Sequence, residues 1–519
     1  MTSHWLVLTP PIIVLIIAFI TKRLNPALIT GIICAALIAM DFNIIASVKL
    51  TGFGFWIKIT EVDTWLIYSF LIMLGTVVSL VIKTGGAAAF TTFASKKLKT
   101  KKQAETTSLL FSLSLFIDDY LSNSTVGYVM RPLTDKFKVA RAKLAFMVHS
   151  IATPLVAIAP VSGWSGMIAQ RLAEAKIAPA ATAAGVSILA DPYLLYVKSI
   201  PFIFYSFLML ISVIFVVRKR ISYGPMHHHE IIAEKTGNLT GGNKDEAPSI
   251  GDSHNKTGTL ADLFVPLFTL AGTMTICTLF LGKIITNPSS FLALFIAGAI
   301  TVVVSFLFSI TRNKIKTTDI KKLFFDGFKL MKDPIIMLFL ASILGMFIQE
   351  NLLTGHFLAD LLVGSINLAL IPLMLFLVSA AIAIATGTSW GTIAIMMPIA
   401  IPMVIKLSQA SLPAAASSIA LLLPTIGAVL SGAVCGDHIS PVSETTVMAS
   451  SSAGSTPVVH AVTQFFYALP AVLCSCLAFL LSGYLIGHGN FISCAISFSI
   501  SLVLCLAILY ILGRINKKK

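Results

Sequence analysis

Apolar runs long enough to cross ~30 Å of hydrocarbon recur along the whole chain, separated by short polar and mostly basic stretches. Their limits predict membrane-spanning helices near residues 5–20, 26–47, 64–82, 144–165, 193–217, 262–284, 289–311, 333–352, 412–434, 458–484 and 489–513. Two further apolar segments resist a reading as single crossings. Residues 105–130 lie between two basic segments, 96–102 and 131–143, that belong on the same side. A hairpin that dips in and returns satisfies both, with Asp118–Thr125 at its tip. By the same logic 366–407 dips from the opposite face, with Thr386–Thr392 at its tip. The expected fold class is an all-α polytopic membrane protein of about eleven transmembrane helices plus two re-entrant hairpins.

The long polar stretch 218–261 divides the chain into near-equal halves. It is expected to be a cytoplasmic linker between two inverted repeats, 1–217 and 262–488, with 489–519 an extra helix and basic tail. The halves resemble each other weakly but in the same order. Ser122-Asn123-Ser124-Thr125 leads to Met130-Arg131-Pro132, as Thr388-Ser389-Trp390-Gly391 leads to Met396-Met397-Pro398. Ile158-Ala159-Pro160-Val161-Ser162 with Met167 mirrors Ile439-Ser440-Pro441-Val442-Ser443 with Met448. Inverted repeats whose broken helices meet at the membrane midplane are a recurrent secondary-transporter design. Non-helical backbone at that depth is tolerated only against protein or a watery cavity.

Composition excludes a soluble globule: 56% of residues are hydrophobic and 11% charged, with mean hydropathy +0.92. The net charge of +15 would suit a nucleic-acid binder, but its placement argues otherwise. With the N-terminus outside and the C-terminus cytoplasmic, segments 21–25, 83–104, 131–143, 218–261, 312–332 and 514–519 face inward and hold 30 of the 37 Lys and Arg residues. That is the positive-inside bias, and clusters such as Lys96–Lys102 suit anionic headgroups. The first run lacks a basic leader and precedes Lys22-Arg23, so it reads as a retained span. Six of the seven cysteines lie in or beside apolar spans, where packing is their ordinary use, so neither disulfides nor structural zinc are expected. The run His227-His228-His229 falls in the polar linker, which tolerates histidine freely. No enzyme-like domain fits there.

Four of the 22 carboxylates sit inside hydrophobic segments: Asp118, Asp119, Asp437 and Glu444. The others lie in loops or near span ends. A carboxylate in hydrocarbon survives where it lines a cavity, meets an ion or takes up a proton. At the first tip, Asp118, Asp119, Ser122, Asn123 and Thr125 offer the oxygen ligands that sodium prefers. Neighbouring carboxylates in low dielectric resist ionising together, a basis for swapping a proton for a cation. At the second tip Thr388 and Ser389 offer hydroxyls, and the glycines let backbone approach a ligand. The last cluster sits on an expected helix break after Gly436, where Asp437 coordinates, His438 carries a proton, and Ser443 and Glu444 begin the next helix. A hydrolase triad is excluded by the lack of a nucleophile elbow.

Phe116-Ile117-Asp118-Asp119-Tyr120, Met130-Arg131-Pro132-Leu133-Thr134-Asp135, Gly387-Thr388-Ser389-Trp390-Gly391-Thr392 and the run from Ser431 to Ser443 together resemble the NhaC family of sodium/proton antiporters. The resemblance extends from about residue 60 to 480. It implies an elevator-type ion transporter fold, with sodium held by Asp118, Asp119, Asn123 and Asp437. Relatives typically show Asp-Ser-Thr-Ala-Ala-Pro where this chain reads His149-Ser150-Ile151-Ala152-Thr153-Pro154, and Ser-Asp-Thr-Thr where it reads Ser443-Glu444-Thr445-Thr446. The first departure replaces a fixed charge with an imidazole, so His149 and His438 are the candidate pH sensors, and Pro154 is expected to loosen the helix just beyond His149.

The expected function is a secondary sodium/proton antiporter of a bacterial inner membrane, with no ATP or redox cofactor and only sodium and protons transported. The alternative is a sodium- or proton-coupled exchanger of an organic solute such as malate, lactate or an amino acid; a channel ranks below both. Expected partners are the lipid bilayer, sodium ions and protons, with a small organic anion and a homodimer left open, and no nucleic acid.

Overall fold

The computed structural model describes residues 5–517 apart from 22–23, 87–88, 90–91, 94–97, 117, 180–186, 242–257, 285–289, 355–356, 358–359, 361–366 and 442. Lys22-Arg23, most of the clusters at 94–97 and 242–257, and the motif positions Ile117 and Val442 therefore lie outside the described residues. The chain is mostly helical. In order, the helices are α1 (Thr9–Thr21), α2 (Leu24–Ala39), α3 (Ile44–Thr60), α4 (Val62–Thr84), α5 (Lys101–Ser114), α6 (Asp119–Lys136), α7 (Arg141–Ile158), α8 (Gly163–Glu174), α9 (Pro192–Ser199) and α10 (Phe204–Lys219). There follow α11 (Gly224–Thr236), α12 (Leu260–Ile284), α13 (Ser290–Thr311), α14 (Asp319–Met346), α15 (Ile371–Thr386), α16 (Ser389–Leu407), α17 (Leu422–Ile439), α18 (Glu444–Ala453), α19 (Pro457–Tyr484) and α20 (Asn490–Lys517). Three two-residue strands, Ile177–Ala178, Ile188–Leu189 and Ala414–Ala415, pair in parallel, a small addition to the expected all-α class.

Among the described residues eight helices are long and apolar enough to cross a membrane, or nine if the pair Pro192–Phe202 and Phe204–Thr236, bent by 50° at Ile203, is one span. Two of the eight, Leu368–Thr386 and Ser389–Leu407, are the arms of the expected hairpin 366–407 and not among the eleven expected spans; the shortfall falls partly on shorter apolar helices such as Trp5–Val14, Asn25–Ala39 and Leu260–Leu270. Several expected boundaries move. The run 26–47 is two helices, because the chain turns at Met40–Phe42 before Asn43 caps α3. The run 144–165 ends as a helix at Ile158, and Pro154 lies inside α7 without breaking it. The run 412–434 starts late, at Leu422, and continues past Gly436 to Ile439, so Asp437 and His438 occupy the last turn of α17 rather than the break. Helix α5 ends at Ser114 and α6 starts at Asp119, which places Ser122, Asn123 and Thr125 within a helix rather than at a tip.

Burial separates central from lipid-facing helices. The spans in α16 and α17 are 94% and 89% buried, whereas that in α20 is only 22% buried and shows Phe491, Val503 and Ile511 outward. Helices α2–α4 and α12–α14 pack as one group. Helices α5–α7, α10 and α15–α19 pack as another, joined to the first chiefly through α14 on α16, α8 between them, and α1 on α15. Within the second group α15 and α17 approach closely. A Cβ at Gly432 would meet Phe376 O at 2.4 Å, and one at Gly436 would meet Ala380 O at 2.3 Å. Small residues four apart permit such backbone contact where lipid supplies no hydrophobic drive.

The ion pairs of Lys and Arg fall into two sets. One contains Lys83–Asp319 (2.7 Å), Arg312–Asp262 (3.1 Å), Lys101–Glu234 (2.6 Å), Arg141–Asp135 (3.2 Å) and Lys143 between Glu230 (2.5 Å) and Glu105 (3.1 Å). The other contains Lys58 with Glu61 (2.9 Å) and Glu174 (3.6 Å), Arg171–Glu174 (2.6 Å), Lys176–Glu350 (3.9 Å) and Lys406–Asp360 (2.6 Å). The first set joins the segments the sequence assigns to one side, and the second those it assigns to the other. The polar linker is more structured than its composition suggests: α11 lies against α7 and α19, with Glu230 buried on Lys143. Among carboxylates near span ends, Glu105, Glu230 and Asp262 are also buried, each beside a basic partner.

Candidate functional site

Three helix breaks line the site, and a fourth, between α7 and α8, neighbours it through Trp164 beside Trp390. Between α15 and α16 the chain turns in two residues: Gly387, at φ +69°, takes the left-handed conformation, and Thr388 caps α16 by accepting from Gly391 N at 3.3 Å. Between α17 and α18, Ser443 caps α18, and Ser440 Oγ donates to Ile384 O at 2.9 Å, tying this break to the end of α15. The break between α7 and α8 is held from α9, whose Tyr196 hydroxyl donates to Ala157 O (3.0 Å) and Ala159 O (3.1 Å). Helix-terminal carbonyls buried this deeply need such partners. The remaining break, between α5 and α6, brings Asp119 to the start of α6.

A small cavity opens where three of these breaks, all but that between α7 and α8, come together, lined by Asp119, Tyr120, Gly387, Thr388, Ser389, Trp390, Asp437, Glu444 and Thr445. Three helices, α6, α16 and α18, start at it. Their N-termini contribute partial positive charge and free backbone N–H groups, facing three carboxylates. Asp437 is 2% exposed and held tightly: Ser443 Oγ donates to Oδ1 at 2.5 Å and Thr445 Oγ1 donates to Oδ2. Asp119 is 1% exposed, and its Oδ1 has no hydrogen-bond partner. Tyr120 donates to Glu444 Oε2 at 2.6 Å, and Ser389 Oγ donates to Ala433 O at 3.1 Å. Oxygen-rich and acidic, the cavity suits a small hard cation. Among the described residues no group of three or more His, Cys, Asp or Glu is arranged as a metal centre.

Of the residues expected from sequence, Asp119, Thr388, Ser389, Asp437 and Glu444 line this cavity, and Ser443 bonds directly to one of them. Asp118 is buried at the end of the first break but does not line it. Ser122, Asn123 and Thr125 are buried within α6 away from the lining, and their side-chain polar atoms have no partner. His149 and His438 are fully buried beside Asp437, with ring centroids 4.6 Å apart. His149 Nε2 lies 2.9 Å from Thr445 Oγ1 and 3.6 Å from Asp437 Oδ2. Sequence reading missed His460 and Gln464, which reach His149 Nδ1 at 3.0 Å each, and the indoles of Trp164 and Trp390. Polar residues four apart in an otherwise apolar span would have signalled the first two.

A model of the Na+/H+ antiporter family matches residues 178–484, which takes in Thr388, Ser389, Asp437, Glu444 and His460. The chain belongs to the Na+/H+ antiporter family. As a member of it, the protein is a multi-pass membrane transporter and not an enzyme. An uncharacterized Haemophilus influenzae protein is 28% identical to this antiporter-family chain over 96% of its length and 94% of the relative's. The Bacillus subtilis malate-2H(+)/Na(+)-lactate antiporter is 30% identical over 22% of each chain. An uncharacterized Na(+)/H(+) antiporter of H. influenzae is 32% identical over 20% of each. Among solved structures, the Alcanivorax borkumensis YdaH transporter aligns with TM-score 0.48 and 16% identity, over 81% of this chain and 85% of that one.

Proposed function

We propose that the protein exchanges sodium for protons across a bacterial inner membrane, with Asp119 and Asp437 as the carboxylates that bind either ion. The observation that carries this is the convergence of one buried carboxylate from each half of the chain on a single oxygen-lined cavity at three helix N-termini. Asp118, Ser122, Asn123 and Thr125, close to Asp119 in the chain, are buried without lining the cavity. The inverted-repeat reading gains support from matching local order. An 18-residue helix, a four-residue break and a short helix occur at 141–174 and again at 422–453. The separate packing of two helix groups supports elevator movement of the second against the first. The sorting of ion pairs supports a linker on the cytoplasmic side.

The test is transport by the protein alone in proteoliposomes. Imposed sodium gradients should move protons, reported by a pH dye. Asp119→Asn and Asp437→Asn should abolish the signal, whereas Asp135→Asn, paired with Arg141 near the linker side, should leave most of it. A dye signal flat with sodium and lithium, together with uptake of malate, lactate or an amino acid, replaces this reading with the second one. That second reading has one observation in its favour: the buried Trp390 indole lines the cavity with no acceptor for its N–H, a donor a cation does not need.

A further inference from the structure

Behind Asp437 two imidazoles, His460 and His149, form a chain that ends at the cavity-lining Thr445, and its hydrogen placement follows from the neighbours. Gln464 Nε2 lies 3.0 Å from His438 O and 3.0 Å from His149 Nδ1. A carbonyl only accepts, so the amide nitrogen donates to it, and the second amide hydrogen is directed at His149 Nδ1. Neutral His149 then carries its proton on Nε2 and donates to Thr445 Oγ1 at 2.9 Å. Thr445 donates in turn to Asp437 Oδ2. At the other end His460 Nε2 stands 3.0 Å from His149 Nδ1, and two bare nitrogens that close would repel, so a proton lies between them. His460 is fully buried, and its Nδ1 has no partner. One turn before His460, Thr456 and Val459 line a second cavity with Ala142, Ser455, His229 and Thr240, at the linker.

We propose that His460, His149 and Thr445 form a proton path by which Asp437 exchanges its proton with the linker side, meeting only at Thr445 and Asp437 the cavity through which the cation reaches the carboxylates. Buried chains of Asp and His serve as proton relays in transporters. In the inward direction to Asp437, a proton bonds to His460 Nδ1 and the His460 Nε2–H bond breaks as His149 Nδ1–H forms. The His149 Nε2–H proton then passes to Thr445 Oγ1, and the original Thr445 hydroxyl proton passes to Asp437 Oδ2. One proton enters, one carboxylate is neutralised, and no electrons are transferred. The reverse hops, or flips of the rings, restore the starting tautomers. The buried groups facing the chain from other helices are His438, whose Nδ1 pairs with the Tyr205 hydroxyl at 3.1 Å, and Asp119 across the cavity.

This inference rests on proton-coupled cation exchange, so its test has two arms. In proteoliposomes, His460→Gln should keep sodium-for-sodium counterflow within about twofold of wild type while slowing sodium-for-proton exchange by tenfold or more. Equal loss of both activities would make the imidazoles structural, and wild-type proton exchange in His460→Gln would remove the path. The second arm needs no transport: nitrogen NMR of histidine-labelled protein in nanodiscs should show a hydrogen-bond coupling between His460 Nε2 and His149 Nδ1, and an Nε2–H tautomer for neutral His149. Lack of that coupling overturns the path. A wild type that shows the coupling yet moves no sodium would instead overturn the exchange reading.

Discussion

Tyr120 and Glu444, 324 positions apart in the chain, meet at the mouth of the acidic cavity, where the phenol donates to the carboxylate at 2.6 Å. This bond links the first turn of α6 to the first turn of α18, and so one half of the chain to the other. Glu444 is exposed, and the phenol restrains its carboxylate beside the site.

Tyr120→Phe removes that restraint without changing charge. A hydrogen bond to a charged group is worth about 1.5–3 kcal/mol, so sodium affinity is expected to fall on the order of tenfold. Glu444→Gln should weaken binding by a similar factor, and the double variant by little more than either single one. Sodium titration of the four proteins by calorimetry checks this; additive losses would show that the two side chains act apart.

A second expectation concerns the linker. Lys143 is buried between Glu230 of α11 and Glu105 of α5. Breaking a buried pair costs about 3–5 kcal/mol, because the remaining charge loses its partner. Glu230→Ala should therefore release α11 and expose 224–241 to protease. Lys143→Met with Glu230→Leu and Glu105→Leu should restore protection, since no buried charge is then stranded. Protease sensitivity that does not change in Glu230→Ala would show that apolar packing of Met226 and Ala233 alone holds the helix.

Orientation is tested by labelling. In a variant freed of its own cysteines, Thr236→Cys is expected to react with an impermeant reagent only from the cytoplasm, and Gln409→Cys only from outside. Both positions are exposed. Reaction of both from one side would overturn the opposed insertion of the halves.

Much of the fold was legible because the forces that set it act locally. Charge placement alone sorted the polar segments into two sets, and the ion pairs follow that sorting, as Lys101 with Glu234 and Lys176 with Glu350 illustrate. The breaks were legible at Gly387 and Pro441, where backbone chemistry announces them. Boundaries failed where a signal was ambiguous: Gly436 looked like a helix end, but it is a packing position against α15, and the helix continues to Ile439.

By itself, then, the sequence determined that this chain is a membrane protein with helix breaks and carboxylates placed beside them, since hydrophobic transfer and charge asymmetry are nearly additive along a chain. Only the tertiary structure decided which carboxylates share a cavity, that Asn123 is buried without lining it, and that His149 joins His460 to Thr445. Helices apolar on most sides give no periodic signal of which face turns inward. The rotation of each helix is set instead by close packing, as at Gly432 and Gly436, and that packing brings together residues separated by roughly half the chain.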